Sequence, residues 1–239
     1  SKSFRSYKEA LDCYSKFDRT VCVSDTVKDD FESIFDTKKP VEVLYNTNES
    51  EKIKKLSDEQ VDDVDFSKDT INIISVAKIL PSKGYDRLMK IHKKLIEKNI
   101  KNHIYILGIG EEKEKYEKYL TENNLTDTFT FLGYRDNPYK YVKKADLYVC
   151  SSRREGFSTA VTEALIVGTP VVSTNCSGAY ELLGENNEYG IVTENNEDAL
   201  YEGIKKMLTT PNLFEAYAAK AKERGKAFST EKTVKAVEE

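Results

Sequence analysis

Cysteine is scarce and scattered. Cys13, Cys22, Cys150 and Cys176 form no C-x-x-C pair and have no histidine at zinc-ligand spacing. That argues against a zinc module or a disulfide scaffold and for a reduced, cytoplasmic chain. Histidine is rarer still: His92 falls in a helical pattern and His103 at the start of an apolar run, and neither has a serine or cysteine partner that would suggest a nucleophilic triad. Long apolar runs are missing too, since INIISVAKIL and ADLYVC fall far short of the roughly 20 residues that a membrane-spanning helix needs. No charged-then-apolar leader opens the chain, and a start at Ser1 rather than methionine sets the expectation of a processed or truncated piece of a longer protein. Positive charge is not in excess: 37 Lys and Arg stand against 41 Asp and Glu, interleaved in stretches such as GEEKEKYEKYL. No basic stripe tracks a phosphate backbone, so nucleic acid is not an expected partner.

What is present is an ordinary globular composition, 39% apolar and 33% charged over 239 residues, long enough to bury a substantial core. From about residue 70 onward, short β-rich runs alternate with longer amphipathic stretches. The runs are TINIISVA (70–77), HIYILG (103–108), TFTFLG (128–133), ADLYVCS (145–151), PVVST (170–174) and YGIVT (189–193). They are apolar on consecutive positions, which suits strands covered on both faces of a parallel sheet. Between them YDRLMKIHKKLIEKN places Leu88, Ile91, Leu95 and Ile96 at helical spacing. The spacing therefore predicts a Rossmann-like, doubly wound α/β domain of about six parallel strands.

Residues 1–66 differ. The helical stretch FRSYKEALDCYSKF, the strand TVCVS, the helix DTVKDDFESIF and the strand VEVLYN lead into the polar ESEKIKKLSDEQVDDVDFSK. This reads as the tail of a preceding lobe plus a charged linker. Residues 67–225 form the α/β domain and 226–239 a C-terminal helix; Pro211 is expected to start one of the late helices and Gly225 to mark a break.

In a doubly wound sheet, ligands bind beyond the carboxyl ends of the strands. That rule selects the loops KILPSKG, GIGEE, SSRREGFS and STNCSGAYE, all of which contain glycine. Gly108 and Gly110 suit a tight turn after the second run, a main-chain role. In REGFSTAVTEAL, a capping Ser158 would leave the amides of Ser158 to Val161 facing outward, toward a diphosphate. Glu155 precedes that cap, and Glu163 lies about 7 Å farther along the helix axis. On spacing alone two readings stand. Glu155 can simply match the positive end of the helix, with Glu163 facing solvent; or the two carboxylates bracket an elongated ligand such as a nucleotide sugar. The apolar neighbours Ala160, Val161, Ala164, Leu165 and Ile166 sit uneasily with a merely solvated Glu163.

The stretch EGFSTAVTEALIVGTPVVSTNCSGAYELL resembles the glutamate, seven residues, glutamate motif of retaining glycosyltransferases of the GT-B fold, family 4. The similarity extends, in order and at matching spacing, to ISVAKILPSKGYDRLM, YILGIGEEKEKYEKYL, FTFLGYRDNPYKYVKKADLYVCSS and YGIVTENNEDALYEGIKKML, covering residues 70–239. DRTVCVSDTVKDDF and VEVLYNTNE are similar to the end of the family's N-terminal, acceptor-binding lobe. The resemblance implies that residues 67–225 are the nucleotide-sugar donor-binding lobe, in which Glu155 contacts the donor hexose and Glu163 the ribose hydroxyls. Main-chain amides around Phe157 and Ser158, flanked by Gly156 and Thr159, would hold sugar and phosphate. Lys83 and Lys78 would neutralise the departing diphosphate, and Glu155, Lys83 and Lys78 form the expected catalytic set. This chain has Ala77 and Lys78 where the family has Gly-Arg, and an ammonium does not replace a forked guanidinium neutrally. Tyr134 and Arg135, in LGYRD, match the family's nucleobase turn; an exposed loop pair is the alternative reading.

The resemblance further implies hexose transfer with retention from a nucleoside diphosphate sugar, uridine diphosphate favoured, with no cofactor and no metal. The acceptor would be a carbohydrate or lipid-linked saccharide in bacterial surface polysaccharide or glycoconjugate assembly. The N-terminal lobe that should bind it is missing from these residues, and association with the cytoplasmic face of the membrane would run through that lobe. A nucleotide-sugar epimerase of the same fold, or a non-catalytic nucleotide-sugar-binding module, are the rival readings.

Overall fold

The computed structural model describes residues 6–238 apart from Ser177, which lies in one of the four glycine-containing loops. Phe4 and Arg5 of the first helical stretch and Glu239 also lie outside the described residues. The first part of the chain runs α1 (Tyr7–Tyr14), β1 (Thr20–Cys22), α2 (Asp25–Ile34), β2 (Val41–Val43) and α3 (Ser50–Ser57). The α/β domain continues with β3 (Ile71–Val76), α4 (Tyr85–Glu97), β4 (Asn102–Leu107), α5 (Lys113–Glu122), β5 (Phe129–Gly133), α6 (Tyr139–Lys144) and β6 (Leu147–Cys150). It ends with α7 (Thr159–Val167), β7 (Val171–Thr174), α8 (Ala179–Leu183), β8 (Ile191–Thr193), α9 (Glu197–Thr209), α10 (Leu213–Gly225) and α11 (Thr230–Glu238).

The six expected strands form one parallel sheet, ordered β5-β4-β3-β6-β7-β8. Their consecutive apolar residues divide between two cores. Ile73, Ile104, Ile106, Leu147, Val149 and Val172 face α4, α5 and α9. Ile74, Tyr105, Tyr148, Cys150, Val171 and Val192 face α6, α7 and α10. A strand buried on both sides cannot alternate polar and apolar residues, which is why the runs were legible. Each fully buried isoleucine or leucine contributes about 1.5–3 kcal/mol relative to exposure.

Order reverses between β3 and β6, so their C-terminal loops part there and leave a crevice. Glycines fit where loops cross closely. Gly84 has φ +70°, and a Cβ on it would lie 2.1 Å from the Ser151 carbonyl oxygen. A Cβ on Gly108 would meet the Ala77 carbonyl oxygen at 1.9 Å, in keeping with the main-chain role expected of it.

The segment taken for a linker is not one throughout. Part of it is α3, which packs on α6 and α7 and buries Ile53 in the core. Beyond it, the Tyr141 hydroxyl donates to Asp63 at 2.8 Å, and Phe66 lies 4.8 Å from Tyr105. Charged residues on one side of α3 hid an apolar contact on the other. Pro211 does not begin a helix either: Asn212, in the left-handed region at φ +61°, turns the chain first, and α10 starts at Leu213. The final helix starts at Thr230, after a 3-10 turn at Lys226–Phe228.

Two contacts fasten the outer segments to the domain. Glu181, on α8, accepts from the amides of Asp25 and Thr26 at 2.9 Å each, so a carboxylate of the α/β domain caps α2. Ser50 and Thr230 exchange amide-to-hydroxyl hydrogen bonds at 2.9 and 3.1 Å, tying the start of α3 to the start of α11.

Candidate functional site at the switch point of the sheet

The loop after β3, residues 77–84, and the loop after β6, residues 151–158, face each other across the crevice and are cross-tied. Ser151 Oγ donates to the Lys83 carbonyl at 2.9 Å, and the Arg153 amide to the Ser82 carbonyl at 2.7 Å. Arg87 lies beneath them, 4% exposed. Its guanidinium donates to the Ser151 carbonyl (Nε, 2.8 Å), the Ser152 carbonyl (Nη2, 2.6 Å) and Asn195 Oδ1 (Nη1, 2.9 Å). A planar, always-charged fork is suited to holding several acceptors in one fixed geometry. Nothing in the sequence marks Arg87 for this, because its partners lie 64 or more residues away.

Between the loops is a cavity of about 280 Å³ whose lining includes Lys78, Lys83, Ser152, Glu155, Phe157 and Ser158. Lys83 Nζ lies 2.6 Å from Glu155 Oε1, and Ser152 Oγ donates to that same oxygen at 2.7 Å. Both members of the ion pair are mostly withdrawn from water, with side chains 21% and 16% exposed. Lys78 is exposed at the rim and, among the described residues, has no carboxylate within ion-pair distance. The structure thus brings Lys78, Lys83 and Glu155 to one cavity, two ammonium groups against one carboxylate.

Ser158 is the N-cap of α7, as expected, its hydroxyl accepting from the Val161 amide at 3.4 Å. Thr159 and Ala160 also line the cavity. Their amides begin the helix and carry no hydrogen bond among the described residues. The positive end of the helix thus adds to the two lysines, and the cavity is built to receive an anion. Phe157 also lines the cavity and is buried, 8% exposed. It packs 5.1 Å from Tyr45 and 6.4 Å from Phe228. Gly156 is not part of the lining.

A second cavity of about 440 Å³ adjoins the first through Val76, Ala77 and Lys78, and includes Gly108, Tyr134, Arg135 and Tyr139. Tyr134 is 66% exposed. Arg135 is committed elsewhere: its guanidinium is 3.0 Å from Asp63 and lies over the Tyr141 ring, making a strut to the segment before β3.

Glu163 departs from the expected bracket. It lines neither cavity. Val161, Thr162, Ala164, Leu165, Ile166 and Val167 are all buried, and Glu163 is left half-buried beside Tyr139, whose hydroxyl donates to Oε1 at 3.4 Å. Burial lifts its carboxyl pKa to about 7, against the smaller lowering effect of that hydrogen bond. Tyr139 is itself pushed up to about 12, by burial and then by the nearby Glu163 charge. Since Tyr139 lines the second cavity, Glu163 reaches the crevice through it. A tyrosine in a loop-to-helix stretch carries no local signal of that role.

The histidines are structural, as their sequence context indicates. His92 is fully buried, 2.7 Å from Asn102 Oδ1 and 2.8 Å from Thr128 Oγ1; burial lowers its pKa to about 4. Among the described residues, no group of three or more His, Cys, Asp or Glu could hold a metal ion, and no helix is long and apolar enough to cross a membrane.

The sequence profile of "Glycosyl transferases group 1" matches residues 57–224. The chain is 35% identical over 192 residues to the Campylobacter jejuni N-acetylgalactosamine-N,N'-diacetylbacillosaminyl-diphospho-undecaprenol 4-alpha-N-acetylgalactosaminyltransferase, covering 80% of this chain and 50% of that protein. It is 30% identical over 230 residues to an uncharacterized glycosyltransferase of Methanocaldococcus jannaschii, covering 83% and 56%. The chain spans about half the length of these curated relatives. Among solved structures, Anabaena HepE in complex with UDP and glucose superposes with a TM-score of 0.82 at 18% identity, covering all of this chain and 68% of that one. At that identity the likeness speaks to the fold, which is GT-B.

Proposed function

Because the chain belongs to the group 1 glycosyl transferases, we propose that it is the donor-binding lobe of a retaining, family 4 hexosyltransferase using a nucleoside diphosphate sugar, with uridine diphosphate favoured. The observation that carries this reading is the convergence of Lys78, Lys83 and the N-terminus of α7 on one cavity that also contains Glu155. A diphosphate there would lie against two ammonium groups and unpaired amides, and Glu155 would face the hexose. Tyr134 beside the second cavity is suited to the base, whereas Arg135 is drawn toward Asp63. Glu163 is assigned to the ribose hydroxyls, with Tyr139 as its positioning partner.

The chemistry asked of this lobe is positioning and charge stabilisation. As the bond from the anomeric carbon to the diphosphate oxygen breaks, negative charge grows on that oxygen. Lys78 and the helix amides at the cavity, with Lys83 shared between Glu155 and the phosphate, would stabilise that charge. No metal or organic cofactor is invoked. The name of the C. jejuni relative supports a lipid-linked saccharide acceptor; its α linkage amounts to retention where the donor sugar is itself α-linked to the diphosphate. The wider role we assign is bacterial surface polysaccharide or glycoconjugate synthesis at the cytoplasmic face of the membrane. Acceptor binding is assigned to an N-terminal lobe that these residues do not contain.

Calorimetry with UDP and with GDP tests the donor reading. Wild-type protein is expected to bind UDP, and Glu163→Ala to bind it at least tenfold more weakly. Binding of neither nucleotide by the wild type would overturn the reading.

A further inference from the structure

Lys83, the cation best placed for a diphosphate, is already engaged. Its ammonium is 2.6 Å from Glu155 Oε1, both groups are largely withdrawn from water, and Ser152 holds the same oxygen from a second direction. Glu155 Oε2 has no hydrogen-bond partner among the described residues. Resting on the donor reading above, we infer that Glu155 sets the preference of the site for a nucleotide sugar over the bare nucleoside diphosphate, by competing with the ligand's terminal phosphate for Lys83.

The two ligands differ in charge at one point. In a nucleotide sugar the outer phosphate is esterified and carries a single negative charge, followed by a ring of hydroxyl donors. In the bare diphosphate that phosphate is terminal and, with a second pKa near 6, carries about −1.5 to −2 at neutral pH. The terminal phosphate must therefore either take Lys83 from Glu155, leaving a withdrawn carboxylate without its cation, or share Lys83 and accept repulsion from an adjacent carboxylate. Both are costly where charges are poorly solvated. The sugar ester brings less charge, and a hydroxyl facing the vacant Oε2 can donate to it. Lys78, which has no carboxylate neighbour among the described residues, attracts both ligands and does not discriminate. The same arrangement that admits the donor weakens the hold on the diphosphate left after transfer.

The test is calorimetry of wild type and Glu155→Gln with UMP, UDP and UDP-glucose, replaced by the guanosine series should the wild type bind GDP and not UDP. Glutamine keeps the side-chain shape and the acceptor for Ser152 while removing the charge. UDP is expected to bind Glu155→Gln about tenfold more tightly than wild type. UMP, which lacks the outer phosphate, should change less than twofold, and UDP-glucose should gain nothing or weaken. A purely structural role for Glu155 would weaken all three together. If Glu155→Gln unfolds, Glu155→Ala makes the same charge change and is expected to give the same ordering. Wild type binding UDP while neither variant binds it more tightly overturns this inference and leaves the donor reading standing; wild type binding neither UDP nor GDP overturns both.

Discussion

The loop before α7 and the second turn of α7 each carry one glutamate of the family motif, and they are opposite environments. Glu155 is held at 2.6 Å by an ammonium and at 2.7 Å by a hydroxyl, in a cavity with a second lysine. Glu163 is more than a full turn farther on, with a neutral tyrosine hydroxyl at 3.4 Å and apolar packing on both sides in sequence. The first is compensated as an anion, and the second has its ionisation opposed by burial, which lifts its pKa to about 7. The same side chain thus meets two opposite electrostatic surroundings. The crevice manages formal charge at Glu155, whereas Glu163, set back behind Tyr139, is poised between protonated and ionised near neutrality.

The strongest way to break this contrast is Lys83→Met, which removes the cation that compensates Glu155. UDP affinity should fall about a hundredfold, or about 2.8 kcal/mol at 1.4 kcal/mol per tenfold, as read by calorimetry. An unchanged affinity would mean that Lys78 and the helix amides alone carry the diphosphate.

Next in size is Glu163→Gln, read as unfolding stability against pH. The folded protein holds the Glu163 proton up to about pH 7, whereas the unfolded chain releases it near the ordinary glutamate pKa of about 4.3. Between those values the folded state binds more protons. The stability this group contributes is therefore complete below about pH 4 and is lost as pH rises through 7, on the order of 2 kcal/mol once the roughly 4 kcal/mol implied by those two pKa values is discounted for the carboxyl's partial contact with water. Glu163→Gln should not show that decline and should exceed wild type in denaturant midpoint at pH 8 by more than at pH 5. Equal gaps at the two pH values would show that Glu163 ionises freely in the folded protein.

The smallest effect is expected from Tyr139→Phe. Losing one hydroxyl to a partly buried carboxylate should cost about 1 kcal/mol above pH 7, where Glu163 is charged, and less below it. The difference between this variant and wild type should accordingly grow with pH in chemical denaturation. The same loss at pH 5 and pH 8 would place the hydroxyl's contribution in packing rather than in the charge of Glu163.

Much of this was legible beforehand, for identifiable reasons. The runs around Ile73, Ile104, Leu147 and Val171 are apolar on consecutive positions because the sheet is covered on both faces. Ser158 could be read as a cap because capping is a contact over three residues. That Lys83 and Glu155 belong to one site followed from the family resemblance, the rule for strand ends supplying only the loops that carry them. What stayed hidden depends on partners remote in sequence. Asp63 takes Arg135 from 72 positions away, Arg87 reaches 64 positions to the loop it supports, and Tyr139 finds Glu163 across 24. α3 was concealed by its own composition, since lysine and glutamate dominate a helix whose fixed contact is Ile53.

The sequence by itself determined the parallel sheet, its order of elements and the capped helix at its switch point. These rest on periodicity, chirality and local capping, all short-range physics written into neighbouring residues. Only the tertiary structure decided how each charge is used: that Lys83 is shared with Glu155, that Glu163 is withdrawn beside Tyr139, and that Arg135 turns to Asp63. Ionisation and pairing are set by burial and by distances between residues far apart along the chain, and those quantities come into existence only when the two faces of the sheet are packed.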